Sequence, residues 1–302
     1  MTKNGLKMLF RAITRNITRT CIRTAKTVTS RMDDLQKGKT TICIVNYKTL
    51  DFIRLCLRSI RKFTKYPYEV LVIDNDSADE SLEYLKSLNW IRLIERKSVP
   101  GETGGYAHAA GLDTGLENCN TEFFMSLHSD VFIKQTGWLQ YLVHPFANSD
   151  KTACVGTGKI ELIPLWRQWL KIVTDLRTFK RKLLKDPDPK GKFRYYNRTI
   201  CCLYKTELLR KENLTFGMGQ REGLTAGKKM YFELEDLGYD MVKLPPRQVG
   251  DYIAHLAHAT QAVNPNEFKL RHRTVRKYQN TAKKLFSSEV FQSILNDDSL
   301  DK

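Results

Sequence analysis

Several signals that mark other protein classes are missing from this 302-residue sequence. No uninterrupted apolar run reaches the roughly 18 residues that a transmembrane helix needs, so none is expected. The seven cysteines form no C-x-x-C pair, which argues against a zinc ribbon or a disulfide framework and fits a reducing compartment. Hydrophobic residues at 41% and charged residues at 27% exclude a collagen-like or wholly disordered chain. The length allows one large domain or two small ones.

The nucleotide-binding motifs of two large enzyme classes are also missing. A dinucleotide-binding dehydrogenase needs G-x-G-x-x-G after its first strand, but Asn46-Tyr47-Lys48-Thr49 stands there and contains no glycine. The phosphate-binding loop G-x-x-x-x-G-K-[ST] does not occur, and neither does the zinc-hydrolase motif H-E-x-x-H. These absences argue against a dehydrogenase, a P-loop nucleotidase and a zinc hydrolase.

Acidic residues are too few to balance the basic ones. The chain holds 50 Lys+Arg against 33 Asp+Glu, for a net charge of +17. Such an excess predicts a polyanionic partner, which could be nucleic acid, an anionic membrane or a phosphate-bearing substrate.

Positive charge is concentrated at the start of the chain, where residues 1–39 carry ten Lys and Arg but only two Asp. Basic residues recur every four positions, and apolar residues fall on the opposite side of a helical wheel. We therefore expect residues 1–38 to form a cationic amphipathic helix that associates with an anionic membrane surface. Docking on the body of the protein and a targeting peptide are the alternatives. The basic set is Lys7, Arg11, Arg15, Arg19 and Arg23, and the apolar set is Leu6, Leu9, Phe10, Ile13, Ile17 and Cys21.

Residues 39–160 alternate between strand and helix patterns. Apolar and β-branched runs predict strands at 41–47, 68–73, 91–94 and 121–127, and helical spacing predicts helices at 50–63, 78–88 and 104–116. This alternation predicts an α/β fold, with a mostly parallel sheet flanked by helices. Ligands bind at the carboxyl ends of such strands. Polar clusters follow three of these strands, namely Asn46-Tyr47, Asp74-Asn75-Asp76-Ser77 and His128-Ser129-Asp130.

Three blocks of sequence, in this order and spacing, resemble family 2 glycosyltransferases with the GT-A fold. They are TICIVNYKTLDFIRLCLRSI, EVLVIDNDSADES and SLHSDVFIKQTGWL. The resemblance covers residues 40–160 well and continues more loosely to about residue 262. It implies an inverting enzyme that moves a sugar from a nucleotide-sugar to a hydroxyl acceptor, with residues 39–160 as the nucleotide-sugar-binding half.

The resemblance also implies a metal site at His128-Ser129-Asp130, which stands where the family has an Asp-x-Asp motif. Asp130 matches the carboxylate that binds Mg²⁺ or Mn²⁺, cations that prefer oxygen ligands. His128 matches the position facing the ribose, but an imidazole cannot accept from two hydroxyls as a carboxylate does. As an alternative to the metal role, Asp130 would be a turn or helix-capping acid.

Residues after the first two strands match the family's nucleotide contacts. Asp74 and Asp76 resemble its base and ribose contacts, and a carboxylate accepts well from the imide N–H of uracil or thymine. This favours a UDP- or dTDP-sugar. Asp76 could equally cap the next helix. Asn46 and Tyr47 would flank the base, with Tyr47 either stacking on it or packing in the protein.

The glycine-rich block at residues 103–111 stands where the family has a Gly/Asn-rich loop that enters a helix. Gly105 would let a ligand approach the backbone closely. Ala109 occupies the place of the family's Asn, and His108 is the candidate to replace it. A packed or solvent-facing histidine is the alternative for His108.

Residues 161–265 are expected to bind the acceptor and to supply the catalytic base. Glu222 matches the first position of the family's acidic pair, and Gly223 stands at the second. A base deprotonates the attacking hydroxyl in an inverting transfer, which is the role predicted for Glu222. A favourable charge at a helix N-terminus is the alternative. Rival carboxylates on an apparent solvated helix face are Glu233, Glu235 and Asp236.

A late histidine completes the metal shell in many GT-A enzymes. His258 is preferred for this role over His255, and their spacing of three would place both on one face of a helical turn.

Two further segments are basic. Residues 159–212 hold fifteen Lys and Arg among aromatic residues, which suits a lipid-linked acceptor, nucleic acid or plain solvated surface. Residues 266–302 form a basic C-terminal helix and tail, of which 287–302 are expected to fray. The favoured acceptor is a lipid-linked saccharide or cell-envelope glycan at the cytoplasmic membrane face. The alternative function is a nucleic-acid-binding or DNA-modifying protein, including a DNA glycosyltransferase.

Overall fold

The structure, a computed structural model, describes residues 34–102, 104–158, 195–257, 259–268 and 272–302. The predicted N-terminal helix, most of the basic aromatic segment and His258 lie outside these residues. No helix in the described ranges is long and apolar enough to cross a membrane.

Strands and helices alternate along the described chain. The strands are β1 Gln36–Asn46, β2 Tyr68–Asp74, β3 Arg92–Glu95, β4 Thr121–His128, β5 Val131–Ile133, β6 Thr152–Gly156, β7 Cys201–Lys205, β8 Asp240–Lys243 and β9 Ile253–His255. The helices are α1 Leu50–Phe63, α2 Glu80–Ser87, α3 Gly104–Glu117, α4 Trp138–Val143, α5 Thr206–Lys211, α6 Lys228–Asp236, α7 Pro246–Tyr252, α8 Ala259–Val263, α9 His272–Phe286 and α10 Glu289–Leu295. Short 3-10 turns cover His144–Ala147, Gln220–Glu222 and Asp298–Asp301.

One seven-stranded sheet organises the molecule, with strand order β3-β2-β1-β4-β7-β6-β8. Its first four strands are mutually parallel. Strand β7 runs antiparallel to both β4 and β6, while β8 is parallel to β6. Strands β5 and β9 form a separate antiparallel pair. The predicted mostly parallel sheet flanked by helices is confirmed, and strands from both sides of residue 160 build it.

Alternation along β1 explains why helices cover both faces of the sheet. Ile42 and Ile44 are fully buried in the apolar cluster that includes α1. Cys43 and Val45 point to the other face and pack in the cluster that includes Leu112 of α3. Because successive side chains of a strand face opposite ways, a central strand buried on both faces must be apolar throughout.

Helix α3 lies so close to β1 that Gly115 has no room for a side chain. A Cβ atom built at Gly115 would lie 2.3 Å from Cys43 Sγ and 3.4 Å from Phe124. We expect Gly115→Ala to lower the free energy of unfolding by about 1–3 kcal/mol, because both neighbours are buried and overpacking strains a filled core. Urea unfolding measures this. Gly158→Ala is the control, since no atom of the described residues lies within 4 Å of its Cβ position, and an equal effect of the two changes would contradict the prediction.

The expectation that residues 287–302 fray is wrong. Helix α10 buries Phe291 and Ile294 in the same apolar cluster as α1. The final 3-10 turn places Asp301 against Arg58 of α1, with Arg58 Nε donating to Asp301 Oδ1 at 2.9 Å. The polar composition of this segment predicted disorder, but burial of Phe291 and Ile294 and the ion pair of Asp301 with Arg58 order it.

Candidate functional site

The carboxyl ends of β1, β2 and β4 lie side by side, as the sequence predicts. Asn46 pairs in register with Asp74, and Val45 pairs with His128. The polar residues that follow these strands therefore meet at one edge of the sheet, where ligands of open α/β sheets bind.

Buried hydrogen bonds of Asp74 and Asn46 stabilise this edge of the sheet. Asp74 Oδ1 accepts from Asn46 Nδ2 at 2.8 Å and from Ser77 Oγ at 2.6 Å, and its Oδ2 accepts from the Ser77 backbone N–H at 3.0 Å. Asn46 also donates to Ser81 Oγ at 2.9 Å. Both residues are buried, and neither lines the larger or the smaller cavity described below. The structure thus gives these two predicted nucleotide contacts internal partners.

A cavity of about 1090 Å³, the larger cavity, opens at this edge. It lies between the ends of β1, β2 and β4, the N-terminus of α3, and residues 259–268. Six of the predicted site residues line it, namely Tyr47, Asp76, Gly105, His108, His128 and Asp130.

Asp76 faces the larger cavity as an ionised group. Its Oδ1 accepts from Lys97 Nζ at 2.8 Å and its Oδ2 from Ser98 Oγ at 2.9 Å. The hydrogen bond from Lys97 lowers the pKa of Asp76 below its usual value. The capping alternative is wrong, because Asp79 rather than Asp76 caps α2, accepting from the Ser81 backbone N–H.

A late segment of the chain closes over Tyr47 at the mouth of the larger cavity. The Tyr47 hydroxyl donates to Glu267 at 2.5 Å, and Lys48 Nζ forms an ion pair with Glu267 at 2.6 Å. Asn264 donates to the Lys48 carbonyl at 3.2 Å. Nothing in the local sequence around Glu267 signalled this contact, which joins residues more than 200 positions apart.

In the wall of the larger cavity, His128 and Asp130 form a compact group with His255, the His–Asp–His cluster. Their candidate ligand atoms all lie within 4.8 Å of one another. His255 Nε2 lies 3.5 Å from Asp130 Oδ1, and His128 Nδ1 lies 3.8 Å from the same oxygen. The structure thus brings His128 and Asp130 together, as predicted. It also places His255 beside them, although the sequence analysis preferred His258 over His255 as the late histidine of the metal site. His255 ends strand β9, so the predicted helical turn is wrong at this position.

The polar atoms of this cluster fit a metal ion. Asp130 Oδ1, His128 Nε2 and His255 Nδ1 are buried, and within the described residues they have no hydrogen-bond partner. Buried polar atoms are nearly always paired. The unpaired Asp130 Oδ1, which lies 3.5 Å from His255 Nε2 and 3.8 Å from His128 Nδ1, therefore fits a bound cation. One carboxylate with two imidazoles is a donor set that manganese and similar divalent cations accept.

Protonation states at the cluster also suit a metal. Burial lowers the pKa of His128 to about 4, although the nearby Asp130 acts in the opposite direction. Burial by itself would raise the pKa of Asp130, but its two histidine neighbours hold the pKa below the usual value. His108 touches His128, with ring centroids 4.8 Å apart, and burial lowers its pKa to about 3. Near neutral pH, His108 and His128 are therefore neutral and Asp130 is charged, which metal ligands require.

A second cavity of about 510 Å³, the smaller cavity, meets the larger one. Both are lined by Gly105, His108 and His128. The remaining wall of the smaller cavity comes from two segments, at residues 196–200 and 220–226. The two cavities thus share a boundary next to the His–Asp–His cluster.

The predicted base, Glu222, lies next to this wall but not in it. Its neighbours Gln220 and Gly223 line the smaller cavity, while Glu222 is exposed and forms an ion pair with Lys229. None of its three rivals lines either cavity.

Asp113 is a residue that sequence reasoning missed. It lies in α3, and its carboxylate accepts from the backbone N–H groups of Phe216 at 2.5 Å and Gly217 at 3.0 Å. Burial raises the pKa of Asp113 to about 6, and the two amide donors oppose that shift. Asp113 therefore anchors the start of the loop that continues into the wall of the smaller cavity.

Comparison with known proteins places this site in a family. Residues 41–211, more than half of the chain, match the model of glycosyl transferase family 2. A comparison with curated protein sequences found no similar relative.

The chain is also similar to several solved structures. One is TarS 1–349 of S. aureus, 15% identical over 87% of this chain and 83% of that one, with a TM-score of 0.47. Another is the mannosyltransferase PcManGT from Pyrobaculum calidifontis with GDP-Man and Mn²⁺, 13% identical over 96% and 94% of the two chains, with a TM-score of 0.48. A third is glucosyl-3-phosphoglycerate synthase from Mycobacterium tuberculosis with Mn²⁺, UDP and glucosyl-3-phosphoglycerate, 16% identical over 60% and 61%, with a TM-score of 0.39. At these values, likeness to one structure identifies no substrate.

The family match extends over three parallel strands whose polar ends meet at the larger cavity, and over the His128 and Asp130 of the cluster. The chain therefore belongs to glycosyl transferase family 2 and is a glycosyltransferase.

Proposed function

We propose that the enzyme transfers a sugar, with inversion, from a UDP- or dTDP-sugar to a hydroxyl acceptor. The observation that supports this most is that two cavities meet at His108 and His128, beside the His–Asp–His cluster. A transferase needs a donor site and an acceptor site on either side of the reacting carbon, with charge stabilisation between them.

The larger cavity suits the nucleotide. Tyr47 offers a ring against which a base can lie, and Asp76 offers a carboxylate to a ribose hydroxyl or an imide N–H. The N-terminus of α3, at Gly104 and Gly105, opens into the same cavity, and unpaired amides at a helix start favour phosphate oxygens. Asp74, buried and internally bonded, would act by holding the strand end rather than by touching the base.

Asp130 and His255 would hold a divalent cation, with His128 within reach and His258 as the further partner suggested by the sequence. Bound there, Mg²⁺ or Mn²⁺ would offset the negative charge that gathers on the departing diphosphate. The protein's own contribution is to keep His128 neutral and Asp130 ionised, and to aim both at one point.

Thermal-shift measurements with a panel of nucleotide-sugars and Mn²⁺ test this function. A ligand that binds only the folded protein raises the melting temperature. We expect UDP- or dTDP-sugars to raise it in the presence of Mn²⁺ and to lose that effect with chelator. Absence of stabilisation by every nucleotide-sugar in the panel would contradict the proposal.

Glu222 is proposed as the base that deprotonates the acceptor hydroxyl. It would enter the smaller cavity once its ion pair with Lys229 opens, since Gln220 and Gly223, two positions before it and one after, already line the wall. We expect Glu222→Gln to slow transfer by about 10²–10⁴-fold, the usual contribution of a general base, and to leave donor affinity unchanged. Initial rates and donor titration measure the two quantities. Glu235→Gln, exposed and outside both cavities, is the control, and normal transfer by Glu222→Gln would move the base elsewhere.

A lipid-linked saccharide or other cell-envelope glycan is the proposed acceptor, which would make this an enzyme of polysaccharide biosynthesis on the cytoplasmic face of the membrane. The charge of the first residues, +8 over positions 1–39, supports this. Replacing Arg11, Arg15, Arg19 and Arg23 by Gln in the full chain should abolish flotation with phosphatidylglycerol vesicles. Salt-dependent DNA binding without vesicle binding would favour the nucleic-acid alternative instead.

A further inference from the structure

We propose that the acceptor carries an anionic group, a phosphate or a carboxylate, and that Arg198 in the wall of the smaller cavity binds it. This inference rests on the proposed function, in which the smaller cavity receives the acceptor. It adds the chemical class of the molecule that the cavity takes.

The charge of the smaller cavity is one-sided. Among its described lining residues, Arg198 is the one Arg or Lys, and no Asp or Glu is present. The acceptor must therefore enter a cavity whose fixed charge is a single guanidinium.

Hydrogen-bond donors surround the same space. Gln220 Nε2 is buried and, within the described residues, has no acceptor. The Tyr196 and Thr225 hydroxyls, whose residues also line the cavity, share one hydrogen bond at 2.7 Å, which uses only one of their two protons. Buried donors without acceptors are costly, and oxygen atoms of a ligand would satisfy them.

Arg198 is positioned by an aromatic ring rather than by a carboxylate. Its Cζ lies 5.7 Å from the centroid of the Tyr196 ring, a cation–π geometry that leaves the guanidinium N–H groups available. The described residues contain no ion-pair partner for it. A guanidinium matches phosphate and carboxylate oxygens with two parallel hydrogen bonds. A neutral acceptor would instead leave this charge desolvated without compensation.

The donor's diphosphate is a less suitable partner for Arg198. The larger cavity, which is not lined by Arg198, already offers the N-terminus of α3 and the His–Asp–His cluster to phosphate oxygens. Arg198 lies on the other side of the boundary formed by His108 and His128. A charge there is placed for the molecule that attacks rather than for the group that leaves.

Isothermal titration of the full chain, saturated with UDP and Mn²⁺, tests the inference. The probes are glucose 6-phosphate, glucuronate and glucose, which share a sugar ring and differ in charge. We expect both anions to bind more tightly than glucose, and Arg198→Gln to weaken them by about tenfold or more. Arg198→Lys keeps the positive charge but cannot form two parallel hydrogen bonds, so its affinity for the two anions should lie between that of the unaltered chain and that of Arg198→Gln. Arg247→Gln is the control, because Arg247 is exposed and lines neither cavity.

Vesicles separate a lipid-borne anion from a soluble one. The chain is also titrated with phosphatidylcholine vesicles that contain farnesyl phosphate. If it binds these vesicles more tightly than glucose 6-phosphate, and if this binding depends on Arg198, the inference is supported and the anion is lipid-borne. Equal affinity for glucose and both anions, or anion affinities that Arg198→Gln leaves unchanged, would overturn it. Loss of UDP affinity in Arg198→Gln, with anion binding intact, would assign Arg198 to the donor and overturn it as well. Failure of UDP to bind the unaltered protein would instead count against the proposed function.

Discussion

Replacing Asp130 by Asn should slow sugar transfer by about 10³-fold and abolish its response to Mn²⁺. The Asp130 oxygen that lies 3.5 Å from His255 and 3.8 Å from His128 is the point on which the cluster converges. An amide has nearly the same shape as a carboxylate but carries no charge, so it removes the anionic ligand while keeping the packing. The transfer rate should fall because the leaving diphosphate would lose its counter-charge.

Metal binding gives a readout independent of catalysis. We expect titration of the unaltered chain with Mn²⁺, followed by electron paramagnetic resonance, to show a bound population that Asp130→Asn lacks. Asp150→Asn is the matched control, because Asp150 is exposed and lines neither cavity. Unchanged Mn²⁺ affinity in Asp130→Asn, or full transfer in the presence of chelator, would exclude Asp130 as the metal ligand.

Arg58→Met should give the largest loss of stability, about 3 kcal/mol in the free energy of unfolding. The Arg58 side chain is only 3% exposed, and it donates to Asp298 at 2.6 Å, to Asp301 and to the Leu295 carbonyl. Methionine would fill the space of the stem but leave Asp301 and the carbonyl without their donor. Asp298 is 88% exposed, so its screened share of the effect is small.

Urea unfolding measures this loss, and hydrogen exchange shows whether residues 289–302 separate from α1. Arg54→Met is the control on the same helix, since Arg54 is 31% exposed and lies 3.8 Å from Asp51. If Arg58→Met and Arg54→Met lower the free energy of unfolding equally, the buried contact of Arg58 with the C-terminal segment does not provide the expected stability.

The stability provided by Arg58 should depend on pH. Burial would raise the pKa of Asp301, but Arg58 and Tyr84 outweigh it and hold the pKa below its usual value. A carboxyl group with a lowered folded-state pKa stabilises the fold above its unfolded pKa of about 3.9, and this contribution is lost as pH falls through the lowered value. The difference in stability between the unaltered chain and Arg58→Met should therefore be full near pH 7 and shrink below about pH 4.

Local patterns were sufficient for the first half of the fold. Helix α1 occupies the predicted residues 50–63, and β1, β2 and β4 end within one residue of their predicted ends. These elements are set by the spacing of apolar side chains, which neighbouring residues determine by themselves. The position of His128 and Asp130 at the ligand-binding edge followed from the same local information. Both lie at the end of β4, and parallel strands end at one edge of a sheet.

The sequence by itself determined the α/β class, the parallel strands, the family and the polar residues at the strand ends. Only the tertiary structure decided that His255 lies against Asp130, that Glu267 reaches Tyr47, and that the charged C-terminus is ordered against Arg58. The tertiary structure also decided that the Asp74 carboxylate accepts hydrogen bonds from Asn46 and Ser77, while Asp76 lines the larger cavity. The reason is physical: these contacts join residues far apart in the chain, and their formation depends on how packed layers bring distant segments together, which no local spacing of residues encodes.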